Sequence, residues 1–223
     1  TTTRTVLRFV NNDTLDWIDD DINFRITTTN LYRDPSAWYH VVAAMDTTQA
    51  TSTNRLKLYV NGEQVTSFST ATYPSQNYEA EVNNTLLHAI GREGSSSNDY
   101  FDGYMAEVCL IDGQQLDPTS FGEFDADTGI WKPIDVSGLT FGTNGFYLDF
   151  ENSGSLGADV SGNGNNFTVN NLTSIDQVTD TPTNNFCTLN PLNFGSGTLS
   201  EGNLKWSAGA SQGYLAFGTI GID

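Results

Sequence analysis

The chain has 223 residues, with 27 acidic against 9 basic side chains and a formal net charge of −18. This length is enough for one large β-sandwich, or for a smaller domain with appendages, around a real core. The negative charge argues against nucleic acid as a partner, because phosphate binding needs clustered Lys and Arg. No stretch approaches the roughly 20 consecutive apolar residues of a membrane-spanning helix, so we expect no membrane insertion.

The first half of the chain consists of short segments with strand-like alternation. Between Arg55 and Val60 every second residue is Leu or Val, which is the period of a half-buried strand. Asn61-Gly62 follows at once, and because both residues tolerate positive φ, the pair predicts a type I′ hairpin turn. The same reasoning predicts strand segments in the ranges 1–10, 15–26, 34–42, 87–92 and 101–108.

Helical structure is expected only after the last of these segments. Asp117 is a suitable N-cap and Pro118 suits the first helical position, so a short turn of helix is predicted there. From Phe124 onward Asn, Gly, Ser and Thr become frequent, although residues 146–150 alternate again and predict one more strand. The sequence therefore predicts an all-β fold with one or two helical turns.

Four segments occur in an order that is typical of a known family. They are Trp38-Tyr39-His40-Val41-Val42, Leu56-Lys57-Leu58-Tyr59-Val60-Asn61-Gly62, Ile90-Gly91 and Phe101-Asp102-Gly103-Tyr104-Met105-Ala106-Glu107-Val108. Their succession resembles the laminin-G-like, concanavalin A-like jelly roll, a fold used mainly for binding and adhesion. The resemblance implies an antiparallel β-sandwich over residues 1–123, with the first strands of the jelly roll preceding Thr1 in a longer protein.

The C-terminal half carries a second resemblance. A module of large structural proteins of tailed phages, notably phages of marine bacteria, is similar to residues 145–150, 156–169 and 180–186. In those phage proteins the module follows a laminin-G-like domain. Residues 198–221 resemble the opening of a SPRY-like β-sandwich. These resemblances imply an extension over residues 124–190 that completes or packs on the sandwich. They also imply a connector with the beginning of a SPRY-like domain over residues 191–223.

The sequence lacks the signature of the hydrolytic branches of this superfamily. Those branches carry two catalytic carboxylates on one strand in an E-x-D-x-x-E pattern, and this pattern does not occur here. A retaining glycosidase needs its two carboxyl groups roughly 5–5.5 Å apart, whereas Glu79 and Glu81 lie in a polar stretch without a third acidic partner. His40 is flanked by apolar residues and is expected in the core or at its rim. We therefore predict a protein without catalytic residues.

Residues 159–165 form a candidate calcium loop. Four of them place oxygen atoms at alternate positions: Asp159, Ser161, Asn163 and Asn165. Gly164 occupies the sixth position, as in the first half of a calcium loop, but Asn170 stands where such a loop has a bidentate Glu. The alternative is that Asn and Gly simply supply left-handed turn residues. Calcium is the one cofactor that the sequence indicates, and both interpretations stay open.

Aromatic residues in loops form a candidate carbohydrate site. Sugars stack on ring faces, while nearby amide and carboxylate groups form hydrogen bonds with the sugar hydroxyls. The residues with these properties are Tyr73, Tyr78 and Tyr100, with Asn77, Asn98 and Asp99 beside them. The alternative is that these rings cover the edges of the sandwich or lie at subunit contacts.

The two cysteines, Cys109 and Cys187, are expected to be free thiols, which fits assembly in a reducing bacterial cytoplasm. Together with the phage resemblance, this predicts a non-catalytic module on the virion surface, in a tail fibre, spike or capsid appendage. Its expected partners are other virion proteins, copies of itself and host surface glycan. Three hypotheses compete: an adhesin that binds glycan with or without calcium, a purely architectural protein, and an extracellular lectin or glycan hydrolase.

Overall fold

The computed structural model describes residues 4–19, 23–94, 99–178, 180–184, 187–194, 197–200, 203–207 and 215–218. In these ranges all regular structure is β-strand, apart from two three-residue 3-10 turns at Ser52–Asn54 and Pro118–Ser120. No helix in the same ranges is long and apolar enough to cross a membrane. The prediction of an all-β fold is confirmed.

The described strands follow one another along the chain as β1 (Thr5–Phe9), β2 (Leu15–Asp19), β3 (Phe24–Thr28), β4 (Val41–Met45), β5 (Leu56–Val60), β6 (Glu63–Gln64), β7 (Phe68–Thr72), β8 (Val108–Leu110), β9 (Gly122–Phe124), β10 (Trp131–Pro133), β11 (Phe146–Leu148), β12 (Leu189–Phe194), β13 (Thr198–Ser200), β14 (Lys205–Ser207) and β15 (Ala216–Gly218).

The chain folds into two compact units. The first consists of Thr1–Tyr104 and Ile111–Asn144, and the second of Met105–Leu110 and Gly145–Asp223. The first part of the predicted extension, residues 124–144, therefore lies within the first unit. The predicted domain boundaries themselves, and the SPRY-like identity of the last residues, stay predictions.

Two antiparallel sheets contain most of the described strands of the first unit. One has the strand order β1-β2-β3-β7, and the other has the order β4-β5-β6. In the first sheet Trp17 pairs with Leu7 on one side and with Ile26 on the other. In the second sheet Leu58 pairs with Ala43. A third, two-stranded sheet joins β9 and β10.

The two larger sheets share one hydrophobic core. Its buried members are Leu15, Trp17, Phe24 and Ile26 from the first sheet, Leu56 and Leu58 from the second, and Val65. Trp17 packs edge-to-face on Phe24, with ring centroids 5.5 Å apart. Full burial of one such side chain contributes roughly 1.5–3 kcal/mol. Because alternate residues of a strand face the same way, the alternation visible in the sequence supplies this core, and the predicted antiparallel β-sandwich is confirmed.

The predicted hairpin turn at Asn61-Gly62 is confirmed. These two residues have φ of 49° and 82°, and Val60 pairs with Glu63 across the turn. A side chain at Gly62 would also overlap the ring of Trp131, which comes from β10. Glycine is therefore required at this position both for the turn and for the packing of Trp131.

A buried ionic network links β1, β2 and β3. The fully buried Asp16 accepts hydrogen bonds from the Thr27 hydroxyl at 2.6 Å, from Arg25 Nε at 3.1 Å and from Arg8 at 3.2 Å. The strand register places Asp16 directly opposite Arg8 on one side and Thr27 on the other. A slip of β2 by one residue would turn this carboxylate towards the hydrophobic core, so the network specifies the register.

Replacing Asp16 by Ala is expected to lower the free energy of unfolding by about 3 kcal/mol, because two guanidinium groups and a hydroxyl lose a buried acceptor. Urea unfolding of the two proteins measures the difference. The matched control is Arg33→Gln, which breaks the exposed ion pair between Arg33 and Asp13 and should cost less than about 1 kcal/mol. An equal loss in both variants would contradict a special role for Asp16.

The strand predicted over residues 101–108 is wrong for most of its length. Regular pairing begins only at Val108. Glu107 has φ of 51°, in the left-handed region that interrupts an extended strand. Residues 101–107 are irregular, and the chain passes from the first unit to the second within them.

Two other predicted strands also differ from the structure. The segment 34–42 becomes regular strand only at Val41. Residues 87–92 are irregular apart from a single antiparallel bridge at Arg92. Gly91 has φ of 78°, which breaks the extended backbone at this point.

The helical turn predicted at Asp117 and the strand predicted over residues 146–150 are both present as short elements. Asp117 accepts a hydrogen bond from the N–H of Thr119 at 3.0 Å and caps a single 3-10 turn. β11 ends before Phe150, because Phe150 has φ of 57°. In the described part of the second unit β11 pairs with β8, β12 with β15 and β13 with β14.

Candidate functional site

Two of the three predicted sugar-binding rings lie against the core. Tyr73 and Tyr78 are half-buried and pack on the hydrophobic core cluster. Between them Asn77 is exposed, and its backbone N–H donates to the carbonyl of Thr47 at 2.9 Å. Part of each ring is therefore used in packing, and a role for these residues in sugar binding stays a prediction. Asn98 lies outside the described residues.

The third predicted ring lies at the surface. The side chain of Tyr100 is 64% exposed, and Asp99 beside it is also exposed. The backbone here is anchored, because Tyr100 forms an antiparallel bridge with Arg92, and the N–H of Phe101 donates to the carbonyl of Gly91 at 2.8 Å. Asp99 has φ of 58°, which directs the chain into this bridge.

Sequence reasoning missed two further rings. Phe101 and Tyr104 are 41% and 38% exposed. With Asp99 and Tyr100 they lie in residues 99–104, which are all exposed and are called the aromatic segment below. The predicted strand hid these rings, because half of the side chains of a strand face inwards. Asp102-Gly103 between them was the available signal of a loop, since Asp and Gly are depleted in strands.

The aromatic segment combines apolar surface with hydrogen-bond acceptors, a chemistry that suits a ligand with an apolar face and hydroxyl groups. Its three rings offer apolar surface, and the carboxylates of Asp99 and Asp102 accept hydrogen bonds. The ring of Phe101 lies close to Gly103, where an added Cβ would be 2.8 Å from Phe101 Cζ. The glycine thus allows the ring to approach the backbone of the segment.

The predicted calcium loop lies in the second unit and is organised by one carboxylate. Asp159 Oδ1 accepts hydrogen bonds from the backbone N–H of Tyr147 and of Ser161, each at 2.9 Å. Asp159 Oδ2 accepts one from the N–H of Asn165 at 2.8 Å. The side-chain amides of Asn163 and Asn165 both donate to the carbonyl of Gly145 at 2.9 Å. The four predicted ligands are thus brought together.

The same hydrogen bonds decide the charge of Asp159. Burial alone raises its pKa, but the donors from Tyr147, Ser161 and Asn165 outweigh burial and lower the pKa below its ordinary value. These bonds fix the conformation of the loop. Gly162 and Gly164 have φ of 91° and 77°, as expected of left-handed turn residues. In the described part of the chain no group of three or more His, Cys, Asp or Glu could hold a metal ion, and calcium binding stays a prediction.

Comparison with known proteins identifies the family of the first unit. The family model of the concanavalin A-like lectin/glucanases superfamily matches residues 2–115, about half of the chain. The chain belongs to the concanavalin A-like superfamily. No curated protein and no solved structure gave a significant match. Because the superfamily includes both lectins and glucanases, membership agrees with binding and with hydrolysis alike.

His40 of this concanavalin A-like domain lies in an aromatic cluster. Its ring centroid is 5.7 Å from that of Trp131 and 6.4 Å from that of Phe121. Burial lowers the pKa of His40, which favours the neutral imidazole. This position agrees with the expectation that His40 belongs to the core or its rim.

Replacing Asp159 by Asn is expected to destabilise its loop by about 1–2 kcal/mol at pH 7, because an amide cannot accept all three N–H bonds. Hydrogen exchange of the amides of Tyr147, Ser161 and Asn165 measures the loss. The native pKa is lowered, so the stabilisation is present above the unfolded pKa of about 4 and is lost as pH falls through the native pKa. The variant should therefore lose less protection between pH 5 and pH 3 than the parent protein.

Asp149→Asn is the control for this experiment. Asp149 lies in the same unit and accepts a backbone hydrogen bond from Glu151 at 3.1 Å. Its replacement should leave the exchange of the three loop amides unchanged. Unchanged exchange in the Asp159 variant as well would contradict the role of this carboxylate.

Proposed function

We propose that the chain is a non-catalytic binding module whose aromatic segment binds glycan on a cell surface. The observation that carries this proposal is the exposure of Tyr100, Phe101 and Tyr104 in an irregular segment outside the strands. Exposed apolar rings interact unfavourably with water, and a ligand that covers them recovers this free energy. A sugar suits such rings, because one face of a sugar is apolar and its rim carries hydroxyl groups.

The absence of catalysis in this proposal rests on the sequence. The superfamily's name includes glucanases, and a retaining glycosidase requires two carboxyl groups about 5–5.5 Å apart on either side of the scissile bond. The E-x-D-x-x-E pattern that supplies them on one strand is missing from all 223 residues. Binding is accordingly the activity that we propose.

We further infer that the module belongs to a tailed-phage virion, in a tail fibre, spike or capsid appendage. The resemblance of residues 145–186 to a phage module supports this placement. Cys109 and Cys187 are not joined in a disulfide, and burial raises the pKa of Cys109 to about 11, which keeps this thiol unreactive. Reduced thiols fit assembly in a bacterial cytoplasm before display on the virion surface. Its partners would be other virion proteins, copies of itself and host glycan.

A purely architectural role is the second candidate. Leu86 and Leu87 are 44% and 71% exposed in the connection that precedes the aromatic segment. Exposed leucines of this kind favour contact with another protein rather than with a sugar. In this alternative the aromatic segment and the leucines would pack against a neighbouring virion subunit.

Replacing Tyr100 by Ala is expected to weaken glycan binding at least tenfold, as for a ring at the centre of a binding site. Binding of the full chain to a glycan array measures the effect. Because Tyr100 is mostly exposed, the variant should keep the thermal unfolding temperature of the parent.

Phe124→Ala is the matched control, since Phe124 is also an exposed ring, at 51%, but lies in β9 outside the aromatic segment. Its replacement should leave glycan binding unchanged. Equal binding by the parent and the Tyr100 variant would contradict the site. Absence of glycan binding by the parent, together with loss of self-association in the Tyr100 variant, would favour the architectural role.

A further inference from the structure

The aromatic segment has a one-sided charge. Residues 99–104 contain the exposed carboxylates of Asp99 and Asp102 and no Lys, Arg or His. Arg92 pairs with Tyr100 across the backbone bridge, but it is half-buried and is engaged in an interaction of its own. The two carboxylates flank the rings of Tyr100 and Phe101 along the backbone. A ligand that packs on these rings therefore comes close to negative charge.

The basic side chains of the chain are largely used within the fold. The chain has 9 Lys and Arg residues against 27 Asp and Glu. Ion pairs join Arg4 to Glu93, Arg8 and Arg25 to Asp16, Arg33 to Asp13, and Lys132 to Glu123 and Asp125. Arg92 and Lys205 also have interaction partners within the fold. Arg55 donates to the backbone carbonyls of Gln49, Ala50 and Pro74. These cations stabilise the fold and are already occupied by its own acceptors.

We propose that the aromatic segment selects glycans that are neutral or carry ammonium groups, and rejects glycans that carry carboxylate or sulfate groups. This selection rests on the proposed function of the segment in glycan binding. Neutral sugars donate hydroxyl hydrogen bonds to Asp99 and Asp102 without a charge penalty. An ammonium group gains attraction to both carboxylates and to the ring faces of the segment.

Coulomb's law sets the size of the discrimination. Two like charges about 4 Å apart in water-like surroundings repel strongly enough to weaken binding roughly fivefold per pair. The net charge of −18 adds repulsion at longer range. Because salt screens exposed charges, the discrimination should shrink as ionic strength rises from about 0.01 M to 1 M.

The test is a glycan array probed with the full chain at low and high salt. It includes β-1,4-linked hexamers of N-acetylglucosamine, glucosamine and glucuronate, which share one backbone geometry and differ in charge. We expect binding only among neutral and ammonium-bearing glycans. Binding of carboxylated or sulfated glycans at equal strength would overturn the selection and leave the proposed function standing. Absence of binding to every glycan would overturn the proposed function itself.

A charge variant separates the two carboxylates from the general charge. The double replacement Asp99→Asn and Asp102→Asn keeps side-chain size, and Asn tolerates the positive φ of Asp99. It should reduce the preference of the segment for ammonium-bearing over carboxylated hexamers roughly tenfold or more at low salt. The control, Glu63→Gln with Glu79→Gln, removes two exposed carboxylates elsewhere in the same unit. Equal changes in both double variants would overturn the assignment to Asp99 and Asp102.

Discussion

The packing of the two larger sheets on one another is the constraint on which the first unit depends. Trp17 and Phe24 from one sheet and Leu58 from the other are buried in a single cluster. Every strand that contributes to this cluster must keep its two-residue alternation, so side chains between the core positions point to the other face of the sheet. The connections are free of this requirement, which is why the exposed rings of residues 99–104 can lie there.

The register of the first sheet depends on charge as well as on apolar burial. Asp16 lies between Leu15 and Trp17, two core residues, yet it is itself fully buried on the other face of β2. Arg8, Arg25 and Thr27 provide the hydrogen bonds that make this burial tolerable. The chain has 9 basic against 27 acidic residues, and two of its arginines serve this one carboxylate.

The same residue type serves two purposes in this protein, and burial separates them. Tyr73 and Tyr78 pack against the core, whereas the side chain of Tyr100 is mostly exposed and its backbone forms a bridge with Arg92. A comparable division holds for acidic residues. The carboxylate of Asp159 accepts hydrogen bonds from backbone N–H groups, whereas Asp99 and Asp102 are exposed beside aromatic rings. Residue type alone therefore defines a set of candidates, and packing decides which of them can meet a ligand.

The all-β class, the hairpin at Asn61-Gly62 and the cap at Asp117 were predictable from the sequence, because alternation, φ preference and capping are local properties. The loop formed by Asp159 and its neighbours was also predictable from the sequence. Only the tertiary structure decided that Tyr73 and Tyr78 pack on the core and that Phe101 and Tyr104 are exposed. The positive φ of Glu107 interrupts the strand that the sequence predicts over residues 101–108. The exposure of a side chain depends on which distant strands cover its segment, and no local pattern encodes this.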